Sequence, residues 1–129
     1  MFSEFQFREI PPRKPGWKRA KTVRIPSGVV TKAQLLRVYG RELGFPSWVG
    51  GNWDAFEEML NTVGERNGAM KIRIWHAGCP LIGEPGELAT YCQILGDVAA
   101  RSPADGVQYE ILFRKSDREV MTRVLSEVP

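Results

Sequence analysis

The sequence predicts an α/β fold: a small three-stranded parallel sheet with packed helices, carrying an extra N-terminal segment and an extra C-terminal helix. Three observations lead there. Residues 21–25, 70–75 and 107–113 are short apolar or alternating runs that read as strands. Between successive strands stand segments whose apolar residues recur at steps of three and four, which read as helices. Strands separated by helices pair in parallel through right-handed crossovers. At 129 residues and 43% hydrophobic, the chain has the size of one domain and enough apolar residues for a core. It divides into a basic, Pro-rich extension over residues 1–20, a main domain over 21–113, and a terminal amphipathic helix over 114–129.

Taken in order, residues 2–7 alternate Phe2, Glu4, Phe5 and Phe7 weakly, as an added edge strand or as a clasp over the core. Pro11, Pro12 and Pro15, set among Arg13, Lys14, Lys18, Arg19 and Lys21, then make a stiff and extended connector. Trp17 within it is either a hydrophobic pin onto the domain or an exposed stacking group. After the strand at 21–25, Pro26-Ser27-Gly28 turns the chain. Thr31 followed by Gln34 is a capping-box pattern, and Leu35, Leu36, Val38, Tyr39 and Leu43 form the buried stripe of a helix that Gly44 closes.

Pro46 and Gly50-Gly51 forbid a helix through the next stretch, and Asn52 stands where a helix needs a cap. Beyond it Trp53, Phe56, Met59, Leu60 and Val63 share one face, while Asp54, Glu57 and Glu58 fall on the other. Residues 65–68 read as a polar turn, and residues 70–75 as a strand with one apolar and one wet side. Residues 77–86 form a Gly- and Pro-containing loop, and residues 87–101 a third helix, stopped by Ser102-Pro103. After the strand at 107–113, Ser116 and Glu119 repeat the capping-box pattern ahead of Val120, Met121, Val124, Leu125 and Val128. This last helix is expected to cover exposed sheet or a sheet edge.

Composition excludes several function classes. No apolar run approaches the length of a membrane span and no charged-then-apolar leader opens the chain, so the expectation is a soluble, cytoplasmic protein that does not contact membranes. Cys79 and Cys92 are expected as free thiols. The net charge of +3 is uneven: residues 1–24 carry seven basic side chains and two Glu, a local +5, against −2 for the rest. His76, Cys79 and Cys92 fall short of a zinc set, which wants a fourth ligand and tight pairs. Neither cysteine is marked as activated, and Glu57 and Glu58 point apart, so no nucleophile and no glycosidase pair is indicated. No metal, cofactor or catalytic residue is expected; the chain reads as a binding protein and not an enzyme.

Three carboxylates at spacings of three, one and four repel one another, where a helix shaped for stability alone would interpose a Lys. The alternative is that Asp54 answers the helix dipole and Glu57 and Glu58 are ordinary solvated residues. The surrounding run Phe45-Pro46-Ser47-Trp48-Val49-Gly50-Gly51-Asn52-Trp53-Asp54-Ala55 resembles the signature of the barstar family, small inhibitors of bacterial ribonucleases. The resemblance spans residues 21–113 and implies a barstar-like fold, with the loop and the following helix blocking a ribonuclease. It places the family's loop aromatic on Trp48, its loop glycine on Gly50 and its first interface Asp on Asp54. Glu57 stands where the family has an aromatic contact, and Glu58 where it has the Asp that enters the phosphate site. A late acidic contact falls on Asp97, and a further aromatic contact on Val63. The implied partner-binding set is Trp48, Gly50, Asn52, Asp54, Glu57, Glu58 and Asp97, acting as a monomer on a ribonuclease or ribonuclease-like toxin. Two other readings stand beside it: nucleic-acid binding through the basic N-terminal segment, and a non-inhibitory interaction module of the same fold.

Overall fold

The computed structural model describes residues 4–11, 20–49, 51–67, 70–101 and 106–128, with Trp48 and residues 64–67 described by their backbone alone. Most of the Pro-rich connector, Trp17 included, lies outside the described residues. The strands are β1 (Phe5–Arg8), β2 (Ala20–Ile25), β3 (Met70–His76) and β4 (Val107–Arg114). All pair in parallel in the order β1-β4-β3-β2, with Phe5 opposite Ile111, Ile74 opposite Ile111, and Val23 opposite Ile74. The sheet thus has four strands where three are expected. The alternation at residues 5–8 is real, but its hydrogen-bonding partner stands at the far end of the chain, beyond the reach of a local pattern.

The helices are α1 (Lys32–Leu43), α2 (Trp53–Asn67), α3 (Pro85–Ala100) and α4 (Arg118–Leu125). In α1 both halves of the capping box form: Gln34 N–H donates to Thr31 Oγ1 at 3.1 Å and Thr31 N–H to Gln34 Oε1 at 3.2 Å. Gly44 ends it in the left-handed region at φ 71°, where a residue without Cβ is unstrained. α2 runs on to Asn67, across residues 65–67 of the expected turn, because Glu65 and Arg66 are good helix formers; the last residue of that turn lies outside the described residues. α3 opens on Pro85, whose missing N–H costs nothing in a first turn.

The Ser116 and Glu119 capping box does not form. Lys115–Asp117 make a 3-10 turn, α4 starts at Arg118, and Asp117 takes the cap position without a capping bond. Its buried carboxylate instead accepts a two-pronged pair from Arg114, Nε at 2.7 Å and Nη2 at 2.8 Å. α4 buries Met121, Val124 and Leu125, packs beside α3, and sets the Arg118 guanidinium 5.2 Å above the Phe7 ring of the edge strand.

Side chains alternate across the sheet, so Val23, Ile25, Ile72, Ile74, His76, Tyr109, Ile111 and Phe113 face the helices. Tyr109 O–H donates to the Leu60 carbonyl of α2 at 2.6 Å. Phe5 and Phe7 flank the Phe113 ring at 5.2 and 5.8 Å between centroids, which seats β1 in the core. The opposite face carries Arg24, Lys71, Arg73, Gln108 and Glu110. There Glu110 pairs with Lys71 at 2.6 Å and Arg73 at 2.8 Å. Burial pushes its carboxyl upward, but the hydrogen bond from Lys71 and the two cations outweigh that and hold it below the usual range. Trp75 and Leu112 share this face, opposite each other in register, and are buried.

Candidate functional site

From Gly44 the chain enters the loop that precedes α2. Phe45 and Val49 are buried and pin it at both ends, Phe45 stacking on Tyr39 of α1 at 6.2 Å. Between them Ser47–Val49 make a 3-10 turn, with Val49 N–H donating to the Pro46 carbonyl at 3.1 Å. Asn52 N–H donates to Val49 O at 3.0 Å, and its side chain then does what the sequence asks of it. Asn52 Oδ1 accepts from the N–H groups of Asp54 and Ala55 at 2.9 and 3.2 Å, satisfying two donors that a helix start leaves unpaired.

The cap fixes the orientation of α2. Phe56, Leu60 and Val63 point into the core and are at most 2% exposed. Asp54 and Glu58 point outward, and among the described residues neither has an ion-pair partner. Asp54 also lies in the first turn, where the helix dipole favours a negative charge. Glu57 differs: it is half-buried, and Arg101 Nη2 donates to its Oε2 at 3.1 Å while reaching Asn61 Oδ1 at 3.5 Å. One carboxylate of the three is therefore held by the chain's own cation.

Trp53, the first residue of α2, is bracketed from two sides. Its Nε1 donates to Glu87 Oε2 at 2.7 Å, and Lys32 Nζ stands 5.0 Å from its ring centroid and 3.9 Å from the same carboxylate. The first turns of α1, α2 and α3 are tied together there. Spacing alone assigns Trp53 to the core face; nothing local marks Glu87 and Lys32 as its partners, or Arg101 as the partner of Glu57.

Beneath the site runs a buried polar chain. Leu112 O can only accept, so His76 Nδ1 carries the proton and donates to it at 2.9 Å; Nε2 then accepts from Tyr91 O–H at 2.7 Å. Tyr91 Oη in turn accepts from Tyr39 O–H at 2.7 Å. Burial pushes the His76 imidazolium down to about 4 and both phenols up. Both ring nitrogens of His76 are thereby occupied. Cys79 and Cys92 are free thiols, raised by burial to about 11 and about 12, which makes them poor thiolates.

Of the remaining expected site residues, Gly50 and the side chain of Trp48 lie outside the described residues. Asp97 is exposed on α3, in an open groove of about 590 Å³ lined also by Gln93, Gly96, Ala100, Leu125 and Val128, none of them from α2. Val63, the position of an aromatic contact in the resemblance, is a core residue here.

The family model described as Barstar (barnase inhibitor) matches residues 20–114. The chain belongs to the barstar family. Nothing among curated proteins and nothing among solved structures matches it. The match to the barstar model begins at the first residue of β2 and ends at the last of β4, so β1 and α4 stand outside it. Among the described residues no helix is long and apolar enough to cross a membrane.

Proposed function

We propose that this barstar-family protein inhibits a bacterial ribonuclease by presenting the carboxylates of Asp54 and Glu58 to the basic cleft that holds the phosphodiester. One observation carries the reading: both are exposed on the helix that Asn52 caps, Asp54 in its first turn and Glu58 one turn further on, and unclaimed by a cation among the described residues. Carboxylates in that state are available for charge-assisted, often two-pronged bonds to arginine, and their field speeds encounter with a positive cleft. Glu58 keeps the charge of the Asp it replaces and carries it one methylene further out. Trp48, Gly50, Asn52, Glu57 and Asp97 complete the proposed contact set, with Asn52 acting through the cap. The protein has no catalytic task of its own in this reading and works in the cytoplasm as a monomer.

Barnase, named in the family description, is the probe. Calorimetric titration and inhibition of RNA cleavage should give tight binding for the wild type. An Asp54→Ala, Glu58→Ala variant should bind at least about a hundredfold more weakly, with a melting temperature within a few degrees of the wild type because only the helix-dipole contribution of Asp54 is lost. Equal affinity of the two proteins would remove this surface from the mechanism.

A further inference from the structure

We propose that the groove between α1 and the loop that follows it binds a small phosphate monoester with an aromatic body, its phosphate held by Arg37 and Arg41. None of the groove's residues belongs to the contact set proposed for the ribonuclease, so this site goes beyond the inhibitory reading and does not rest on it.

Arg37 and Arg41 stand four residues apart on α1, one above the other on the same side of the helix. Both are exposed, and both line an open groove of about 410 Å³ whose floor is the buried Leu36, Phe45 and Val49. Among the described residues no acid lines this groove and neither guanidinium has an ion-pair partner. The helix dipole accounts for Arg41, in the last turn, but not for Arg37, and like charges at this spacing repel. Gly40 lies between them in the chain and lines the same groove, in a helix interior where only proline is a poorer choice. Its φ is not positive, and a Cβ built on it would meet only the Phe45 carbonyl oxygen, at an ordinary contact distance of 3.6 Å. An alanine would fit, so neither the backbone nor the chain's own packing explains the glycine. Its effect is to keep the helix surface low beside two cations, where a ligand can lie close to the backbone.

Size and charge choose the occupant. The groove has the volume of a small-molecule site and the make-up of one, an apolar floor with a few polar groups at its edge. Two guanidiniums carry two positive charges. A phosphate monoester carries about −1.5 to −2 near neutral pH and offers three acceptor oxygens, so it can accept from both arginines at once. A carboxylate brings one charge and two oxygens, which a single guanidinium satisfies. With the phosphate on the arginines, an aromatic group on the ester covers Leu36, Phe45 and Val49 and passes close over Gly40.

Phenyl phosphate is the probe, titrated into the full chain at low salt by calorimetry and by amide chemical shifts, with inorganic phosphate and phenylacetate beside it. Phenyl phosphate should bind with a Kd below about 1 mM, and the other two about tenfold or more weakly, since one lacks the ring and the other the second charge. The shifts should centre on residues 36–41 and 45–49. Arg37→Ala/Arg41→Ala, at two exposed positions, should lose about tenfold or more in affinity with its melting temperature kept. Gly40→Leu keeps both cations and fills the groove, and should lose as much; Ala33→Leu repeats that measurement from an exposed residue lining the same groove. Inorganic phosphate binding as tightly as phenyl phosphate would mean a bare ion site, and phenylacetate binding as tightly would mean a carboxylate site; either overturns the proposal. So do shifts centred elsewhere, wild-type affinity in the arginine variant or in both groove-filling variants, and no binding up to about 10 mM. No titration contains barnase, so failure here leaves the inhibitory reading standing, and failure of that reading leaves this site.

Discussion

His76 is the chain's single histidine, stacked 4.0 Å over Phe113 with one nitrogen donating to a carbonyl and the other accepting from Tyr91. Charging it would place an imidazolium in a site closed to water, a burial cost that outweighs the Leu112 carbonyl and the Asp117 charge that favour the proton. The folded state therefore keeps the ring neutral down to about pH 4, whereas the unfolded chain protonates it near 6.5. A group whose folded value is depressed in this way contributes its full stability above 6.5 and loses it as pH falls toward 4. The unfolding free energy should drop by about 1.4 kcal/mol per pH unit in that window, about 3 kcal/mol in all. Glu110 adds to the acid loss below its own normal range, since its folded carboxyl is also depressed. Urea unfolding at pH 7, 6 and 5 measures the slope. His76→Phe should be less stable at pH 7, with the Tyr91 O–H and the Leu112 carbonyl each losing its bond to the imidazole, and should lose most of the dependence between pH 6.5 and 5. An unchanged slope in that variant would locate the titration elsewhere.

Among the elements, the two helix starts that form as expected are those whose signal is local. Thr31 needs only Gln34, three residues on, and Asn52 needs only the N–H groups of Asp54 and Ala55, so spacing reveals both. Ser116 and Glu119 carry the same pattern and fail, because Arg114 claims Asp117 and the chain turns once before α4 begins. β1 is only half legible for a related reason: its alternation is visible in residues 5–8, but its partner β4 is chosen by Phe113 and the core. The carboxylates of α2 were legible as a face; that Glu57 is spoken for by Arg101, one residue past the end of α3, was not. That pair makes a prediction. Arg101→Ala frees Glu57 beside Glu58 and should speed association with barnase a few-fold at low salt, the gain vanishing above about 0.5 M. Since the Arg101 side chain is 54% exposed, stability should change by no more than about 0.5 kcal/mol. Stopped-flow association rates check this, and a slower rate would mean that Arg101 itself touches the partner.

For the molecule as a whole, the barstar match covers a three-stranded core whose β4 would end the sheet, and β1 occupies that edge from outside the match. An open β4 edge would expose a row of backbone N–H and C=O groups ready to pair with another chain. β1 supplies four paired residues, and Phe5, at 8% exposure, fills the space beside Phe113. Removing residues 1–11 takes away both functions, whereas Phe5→Ala takes away only the ring. The point variant should lose about 3–5 kcal/mol by the usual cost of deleting a buried phenylalanine and show no more association than the wild type. The truncated chain should lose at least as much and also associate as concentration rises, which light scattering behind size-exclusion chromatography reads directly. If the truncated chain associates no more than the wild type at every concentration, edge protection is not what β1 contributes, and its place in the sheet reduces to packing on Phe113.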